Sequence, residues 1–284
     1  MATQLVPLPE VERLSPICIR VLAGNPGKFT LQGTNTYLLG RGNRRILIDT
    51  GEGKPSWIAA VKSILEQEKA AIETVLITHW HGDHQGGIEQ LRSLSPASKI
   101  YKNQPEEGQL DIQDGQKFVV DGASLTAIFT PGHTVDHMAF VLGEEDAMFT
   151  ADNVLGQGTA VFEDLATYIN SLDKMRRLFK GRAYPGHGPV IDNGPSKIVE
   201  YINHRKTRED QVIRTLKTKR EAGAEGPRDA WTPMELVKVI YHDVPEELHA
   251  PACGGVIQIL DKLENEDKVT QSNDRWTWKD RSSL

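Results

Sequence analysis

Residues 78–84 read THWHGDH, which places three of the chain's nine histidines and one aspartate within seven positions. The apolar run TVLIT (74–78) leads into them and reads as a buried strand. Residues two apart at a strand's end project the same way, so His79 and His81 face one point. Asp83 and His84 follow in a turn that Gly82 and Gly86–Gly87 make feasible. A fold that carries this segment must bring a strand to an edge where a tight turn collects imidazoles and a carboxylate. That donor set suits zinc, manganese or iron. The helical His-Glu-x-x-His zinc arrangement is excluded, because the spacing differs and no glutamate is in place.

Three later segments repeat one pattern of strand, small or glycine-rich turn, and candidate ligand. They are FTPGHT with His133, MFTADN with Asp152, and YPGHG with His187. Strand ends that converge on one edge would carry these residues to the first cluster. A histidine cluster that merely orders a loop does not account for that repetition.

The rest of the chain reads as α/β. ICIRVLA (17–23), FTLQGTNTYLLG (29–40) and RRILIDTG (44–51) are rich in β-branched and aromatic residues and punctuated by glycine, as strands are. WIAAVKSIL (57–65) puts Trp57, Ile58, Val61, Ile64 and Leu65 on one helical face. GGIEQLRSL reads as a helix, with strands expected at 98–102, 117–120, 124–130, 137–142 and 147–150. Helices are expected at 165–179 and 196–220, around a short strand and turn at 182–186. The regular alternation of a doubly wound sheet is missing.

EAGAEGPRDA (221–230) has the composition of a linker. TPMELVKVIYHD (232–243) reads as a helix with Thr232 as N-cap and Pro233 in its first turn. Residues 246–266 read as a helix broken near Pro251 and Gly254–Gly255, and 268–279 as a hairpin around Asn273–Asp274. The expected division is a catalytic domain over 1–220 and a small winged-helix-like unit over 221–284.

Composition narrows the function classes. The chain has 284 residues, 38% hydrophobic and 25% charged, an ordinary globular balance with ample length for a core. Its net charge is −6, and from Asp229 onward eleven acidic residues face six lysines and arginines. Binding nucleic acid calls for a basic face to neutralise phosphates, so no nucleic acid partner is expected. The basic stretch HRKTREDQVIRTLKTKR reads as a solvated helix face. Packing or a homodimer contact is the expected role of the C-terminal unit. Cys18 and Cys253 lie at opposite ends and fit two reduced thiols of a cytosolic protein. The N-terminus does not read as a secretory signal. No apolar stretch approaches the roughly 20 residues of a membrane helix, so a cytoplasmic protein without membrane contact is expected.

HWHGDH, PGHTVDH, TADN and YPGHG, in that order, resemble the motif series of the metallo-β-lactamase fold hydrolases over about residues 15 to 215. The resemblance implies an α/β fold: a four-layer αββα sandwich with a dinuclear site on one edge. It implies that His79, His81 and His133 hold one divalent ion, and that Asp83, His84 and His187 hold the other. Asp152 would bridge them, with Zn2+ the expected metal and Mn2+ the alternative. This chain has Ala151 where the family usually has glycine, and a positive φ there would strain it. Two such cations lower the pKa of a shared water, and the resulting hydroxide attacks a carbonyl carbon or phosphorus. No serine or cysteine nucleophile is then required.

Asp83 is expected to orient the hydroxide. Asp49 in LIDTG is a candidate to orient a ligand histidine, and it reads equally well as a turn aspartate. His137 is assigned a place behind the ligands or against the substrate. Phe29, in the glycine-rich GNPGKFT, is a candidate contact for an apolar or aromatic substrate, together with Phe162 and Trp80. His204, His242 and His249 are read as structural.

Metal ligands alone do not name a substrate. LQGTNTYLLG, HWHGDHQGG, YKNQPEEGQLDIQDGQKF, FTPGHTVDHMAFVL and TADNVLGQG resemble the stand-alone metallo-β-lactamase-type thioesterases of fungal aromatic polyketide pathways. Those enzymes release the finished polyketide from the acyl carrier protein of a non-reducing synthase that lacks its own release domain. A thioester suits the site, because thiolate is a good leaving group. VFEDL (161–165), YPGHGPVI and MELVKVIY are also similar to β-lactamase-like single-strand endoribonucleases. The acidic charge and the lack of a large inserted nucleic-acid clamp stand against that alternative. Hydrolysis of a glutathione thioester or a lactam has no specific motif here. A metal-free binding scaffold is disfavoured, because every expected ligand is present.

Overall fold

The computed structural model describes residues 5–220, 227–246 and 249–279; residues 221–226 of the expected linker lie outside the described residues. The chain divides into two compact units, Met1–Glu163 with Thr167–Tyr201, and Asp164–Ala166 with Ile202–Leu284.

Two sheets form the first unit. One has seven strands in sequence order: β1 (Val11–Ser15), β2 (Cys18–Leu22), β3 (Asn35–Leu39), β4 (Arg44–Ile48), β5 (Ala71–Ile77), β6 (Lys99–Lys102) and β7 (Leu110–Asp111). It is antiparallel through β4 and parallel from β4 to β7. The other runs β12 (Ala183–Pro185), β11 (Ala147–Ala151), β10 (Met138–Leu142), β9 (Ala123–Phe129) and β8 (Lys117–Val120).

Alternate residues of the first sheet enter two different cores, as the two-residue period of a strand requires. Cys18, Tyr37, Leu39, Ile46, Ile48 and Leu76 meet Phe118, Leu125, Phe140, Phe149 and Tyr184 of the second sheet. Their neighbours Ile19, Leu38, Leu47, Val75 and Ile77 meet Trp57, Val61, Ile64 and Leu65 of α1 (Pro55–Glu68) and Leu91 of α3 (Ile88–Leu94). On the second sheet, α4 (Leu165–Met175) buries Tyr168, Leu172 and Met175, and the Tyr168 hydroxyl donates to Asn153 O just beyond β11. Helices thus lie outside two face-to-face sheets, the expected αββα sandwich. The TVLIT strand is β5, and a short helix α2 (Gly82–Gln85) follows it.

The strand expected over 29–40 is present only at Asn35–Leu39. Positive φ at Leu31 (+56°) and Gly33 (+124°) turns the chain back before it. Residues 25–34 therefore form a loop, closed by the Thr30 hydroxyl donating to Asn25 O at 2.6 Å.

Helix α5 (Gly194–Leu216) follows β12, and the second unit carries α6 (Pro233–Ile240), α7 (His249–Asn265) and a sheet ordered β13 (Ala230–Trp231), β15 (Arg275–Trp278), β14 (Val269–Ser272). Thr232 caps α6 in a capping box with Glu235, as its sequence suggests. Asn273 and Asp274 both take positive φ, which suits the hairpin turn between β14 and β15. The break expected near Pro251 does not occur, and α7 runs unbroken through Gly254–Gly255. A proline in the first helical turn removes only an N–H that lacks an intrahelical partner. Among the described residues, no helix is long and apolar enough to cross a membrane.

Candidate metal centre

The end of β5 and the α2 turn supply His79, His81, Asp83 and His84. The turn after β9 supplies His133, the end of β11 Asp152, and the end of β12 His187. The structure brings all seven together in two groups: His79, His81, His133 and Asp152, and Asp83, His84 and His187. Donor atoms within each group lie within 4.8 Å of one another. Asp152 also reaches the second group, with Oδ1 3.4 Å from His84 Nε2 and Oδ2 3.2 Å from His187 Nε2.

Close backbone approach permits this convergence. A Cβ on Gly186 would overlap Asp152 Oδ1 and crowd His84 Cε1 at 3.0 Å. Ala151, which presents Asp152, adopts φ +42°, the left-handed backbone that its side chain disfavours.

Hydrogen bonds behind the cluster fix which ring nitrogens face it. Asp49 Oδ1 accepts the Thr78 N–H at 2.8 Å, and its Oδ2 accepts the Thr78 hydroxyl at 2.9 Å. The Thr78 oxygen is thereby left to accept from His79 Nδ1, 2.9 Å away. His133 Nδ1 donates to Val161 O at 2.8 Å, and His84 Nδ1 lies 2.7 Å from Asp49 Oδ2. In all three rings Nε2 turns inward. Nε2 of His79 and of His133 lie 2.9 and 3.2 Å from His81 Nδ1, while Asp152 Oδ1 is buried without a hydrogen bond. Lone pairs of imidazole and carboxylate converging this closely fit a divalent cation in each group.

Protonation differs between the groups. Burial pushes His79 well below the usual imidazole range, and the charge of His84 adds to the shift. Burial, then His133, lowers His81. His84 and His187 behave oppositely: burial depresses both, but the carboxylates around them together outweigh it, Asp152 with Asp49 raising His84 well above its usual value and Asp152 with Asp83 raising His187 to about 9. The carboxylates answer in kind. Burial raises Asp83 and Asp152. The hydrogen bond from His187, together with the charges of His84 and His187, holds Asp83 down at about 2, and the charges of His187 and His84 with their hydrogen bonds hold Asp152 well below the usual range.

The cluster opens into a cavity of about 710 Å3 to which His81, Asp83, His133, Asp152 and His187 contribute. Phe29, Leu31, Leu155, Ala160 and Val161 supply apolar lining, and Lys28 and Glu52 also line it. Phe29 is 71% exposed. Phe162, expected beside it, is not among the lining residues, because its ring stacks on Tyr168 with centroids 5.2 Å apart. Trp80 is likewise absent from the lining and packs edge-on to His81. His137 is fully buried behind His79 and His133, with Nδ1 2.9 Å from the Thr130 hydroxyl and 3.2 Å from Asn153 Nδ2. It braces the loop that carries His133 and is not among the residues lining the cavity. Thr78, Asn25 and Thr34 are polar residues of the site that the sequence does not mark as such, although Thr78 adjoins the histidine motif; Asn25 and Thr34 reach the site only through the fold.

Residues 29–187 match the metallo-beta-lactamase superfamily, and residues 232–276 match the Beta-lactamase associated winged helix domain. The chain is 49% identical over 270 residues to the atrochrysone carboxyl ACP thioesterase of Aspergillus chevalieri, covering 94% of this chain and 87% of that protein. It is 48% identical to the lactamase-like protein aptB of Emericella nidulans, covering 92% and 85%. Among solved structures, a metallo-beta-lactamase family protein from Thermus thermophilus superposes with a TM-score of 0.72 at 21% identity, covering 94% of this chain and all of that one.

Proposed function

The chain belongs to the metallo-β-lactamase superfamily of hydrolases, and from that premise we propose that it is a thioesterase releasing an aromatic polyketide from the acyl carrier protein of a non-reducing polyketide synthase. The observation that carries this reading is one cavity lined both by residues of the His/Asp cluster and by apolar Phe29, Leu31, Leu155, Ala160 and Val161. Such a cavity suits an apolar acyl group whose reacting carbonyl lies at the cluster. The relative named as an atrochrysone carboxyl ACP thioesterase supports that substrate class.

We assign His79, His81 and His133 to one divalent ion and Asp83, His84 and His187 to a second, with Asp152 between them. Zn2+ is the expected metal and Mn2+ the alternative. When bound, such ions polarise the thioester carbonyl and make water acidic enough to attack it at neutral pH. The protein supplies the rest. Asp83, ionised at neutral pH, orients the attacking water or hydroxide by accepting a hydrogen bond from it. Asp152 keeps its charge for the same reason. Asp49, Thr78 and Val161 O hold the ligand rings in one tautomer. The 25–34 loop and its Phe29 shield the acyl group from bulk water. The thiolate departs without a proton donor of its own.

We assign 1–220 to the catalytic domain and 221–284 to the winged-helix unit by motif and linker composition, whereas the compact units divide after Tyr201. The acidity of the latter favours packing or a homodimer contact over nucleic acid. A cytoplasmic location fits two cysteines without a disulfide.

The test is an assay of purified protein on a polyketide-loaded acyl carrier protein and on single-stranded RNA. Acyl release that stops when His79→Ala or Asp152→Ala lowers metal content supports the reading. Fast RNA cleavage without acyl release overturns the substrate. Full activity in chelator, from protein free of divalent ions, overturns the mechanism.

A further inference from the structure

Asn25 and Thr34 close the base of the loop that carries Phe29, and both are buried, Thr34 completely. The Thr34 N–H donates to Asn25 Oδ1 at 2.9 Å, and Asn25 Nδ2 donates to Thr34 Oγ1 at 3.0 Å. The first bond identifies the oxygen end of the amide, so the second can run in one direction only. The Thr34 hydroxyl, already an acceptor, has one proton to give. Its acceptor is Asp83 Oδ2 at 3.2 Å, long for an O–H···O bond. His187 Nε2 and His84 Nε2 lie 3.3 and 3.4 Å from the same oxygen. The contacts of the Asp83 carboxylate gather on Oδ2, which leaves Oδ1 for the cavity that Asp83 lines.

We propose that Thr34, locked as a donor by Asn25, is a positioning residue for Asp83, pinning Oδ2 so that Oδ1 is the oxygen presented to water and substrate. The inference rests on the hydrolase reading above. A carboxylate's last torsion is soft, so contact with an ion alone would still leave the Asp83 carboxylate plane free to swing. The hydroxyl proton removes that freedom, and Asn25 keeps the proton from turning elsewhere.

Three variants of the full-length, metal-loaded protein separate this role from packing. Thr34→Val keeps the shape and removes the hydroxyl. Thr34→Ser keeps the hydroxyl and removes the methyl. Asn25→Asp still accepts the Thr34 N–H, but its second oxygen attracts the hydroxyl proton away from Asp83. Thr34→Val and Asn25→Asp should each lower kcat about 10-fold or more, with KM and metal content unchanged. Thr34→Ser should stay near the parent, and the Asn25→Asp/Thr34→Val double variant should lose no more than either single one. In Co2+-substituted protein, the visible absorption band should shift in the Val and Asp variants and not in the Ser variant.

Parent-like kcat and cobalt spectrum in Thr34→Val would overturn the proposal, as would equal losses in Thr34→Val and Thr34→Ser. If Thr34→Val does not fold, Asn25→Asp and Thr34→Ser carry the same comparison. If the parent hydrolyses no acyl-carrier thioester, the substrate reading fails, while the cobalt spectra still decide whether Thr34 sets Asp83.

Discussion

Nδ1 of His84 lies 2.7 Å from Oδ2 of Asp49, with both residues buried. Asp49 takes two further hydrogen bonds from Thr78, so one carboxylate organises the strand end that begins the histidine motif and a ring farther along it. Its own backbone sits at φ +59°, a conformation that aspartate tolerates better than most residues. Asp49→Asn keeps the shape and removes the charge that holds the His84 proton on Nδ1. Metal affinity should fall about 10- to 100-fold. Competition with a chromophoric chelator measures it, and an unchanged affinity would assign Asp49 to the turn alone.

Ala151 is strained at φ +42°. A left-handed alanine costs about 1–2 kcal/mol, and glycine's greater freedom in the unfolded chain gives back about 0.5–1 kcal/mol of that. Ala151→Gly should therefore raise Tm by a few degrees, roughly 2–4 °C per kcal/mol, with metal content unchanged. A lower Tm in thermal denaturation would show that the alanine methyl contributes packing worth more than the strain.

The two groups of candidate ligands should respond differently to pH. His187, raised to about 9, and His84, raised well above its usual value, hold protons in the metal-free protein. A raised folded-state pKa contributes stability that is complete below about 6.5 and disappears as pH rises through the folded value. Chelator-treated protein should lose Tm between about pH 7 and about 9.5 more steeply than Zn2+-loaded protein, in which these nitrogens carry no proton. Metal uptake at about pH 7 should release protons, seen as a buffer-dependent enthalpy in calorimetry. Parallel melting curves would contradict the assignment.

Lys102 Nζ lies 2.7 Å from Asp136 Oδ2, and both side chains are almost fully buried. Lys102 opens the KNQPEEG segment, and Asp136 stands shortly after His133. The pair fastens that segment to the ligand loop, with the Thr134 hydroxyl donating to Asp136 Oδ1 at 2.8 Å. Lys102→Met leaves a buried carboxylate unpaired and should cost about 3–5 kcal/mol in urea denaturation. Adding Asp136→Leu should recover most of that loss. Failure to recover would place the effect in the lysine stem.

The sequence by itself determined the candidate ligand set and the fold class. The first four candidate ligands lie within six residues of one another, where strand alternation and a glycine-permitted turn fix their directions locally. The remaining three each follow a recognisable strand end. What the tertiary structure alone decided depends on residues far apart in the chain. The 29–40 segment reads as one strand, because its apolar and β-branched content carries no mark of the positive φ at Leu31. Only the folded chain shows that the segment turns back and sets Thr34 against Asp83, 49 positions away. Phe29 and Phe162 look alike as aromatic candidates, yet one lines the cavity and the other stacks on Tyr168. Local spacing encodes which side chains can share a metal, whereas long-range packing selects which of the others stand beside it.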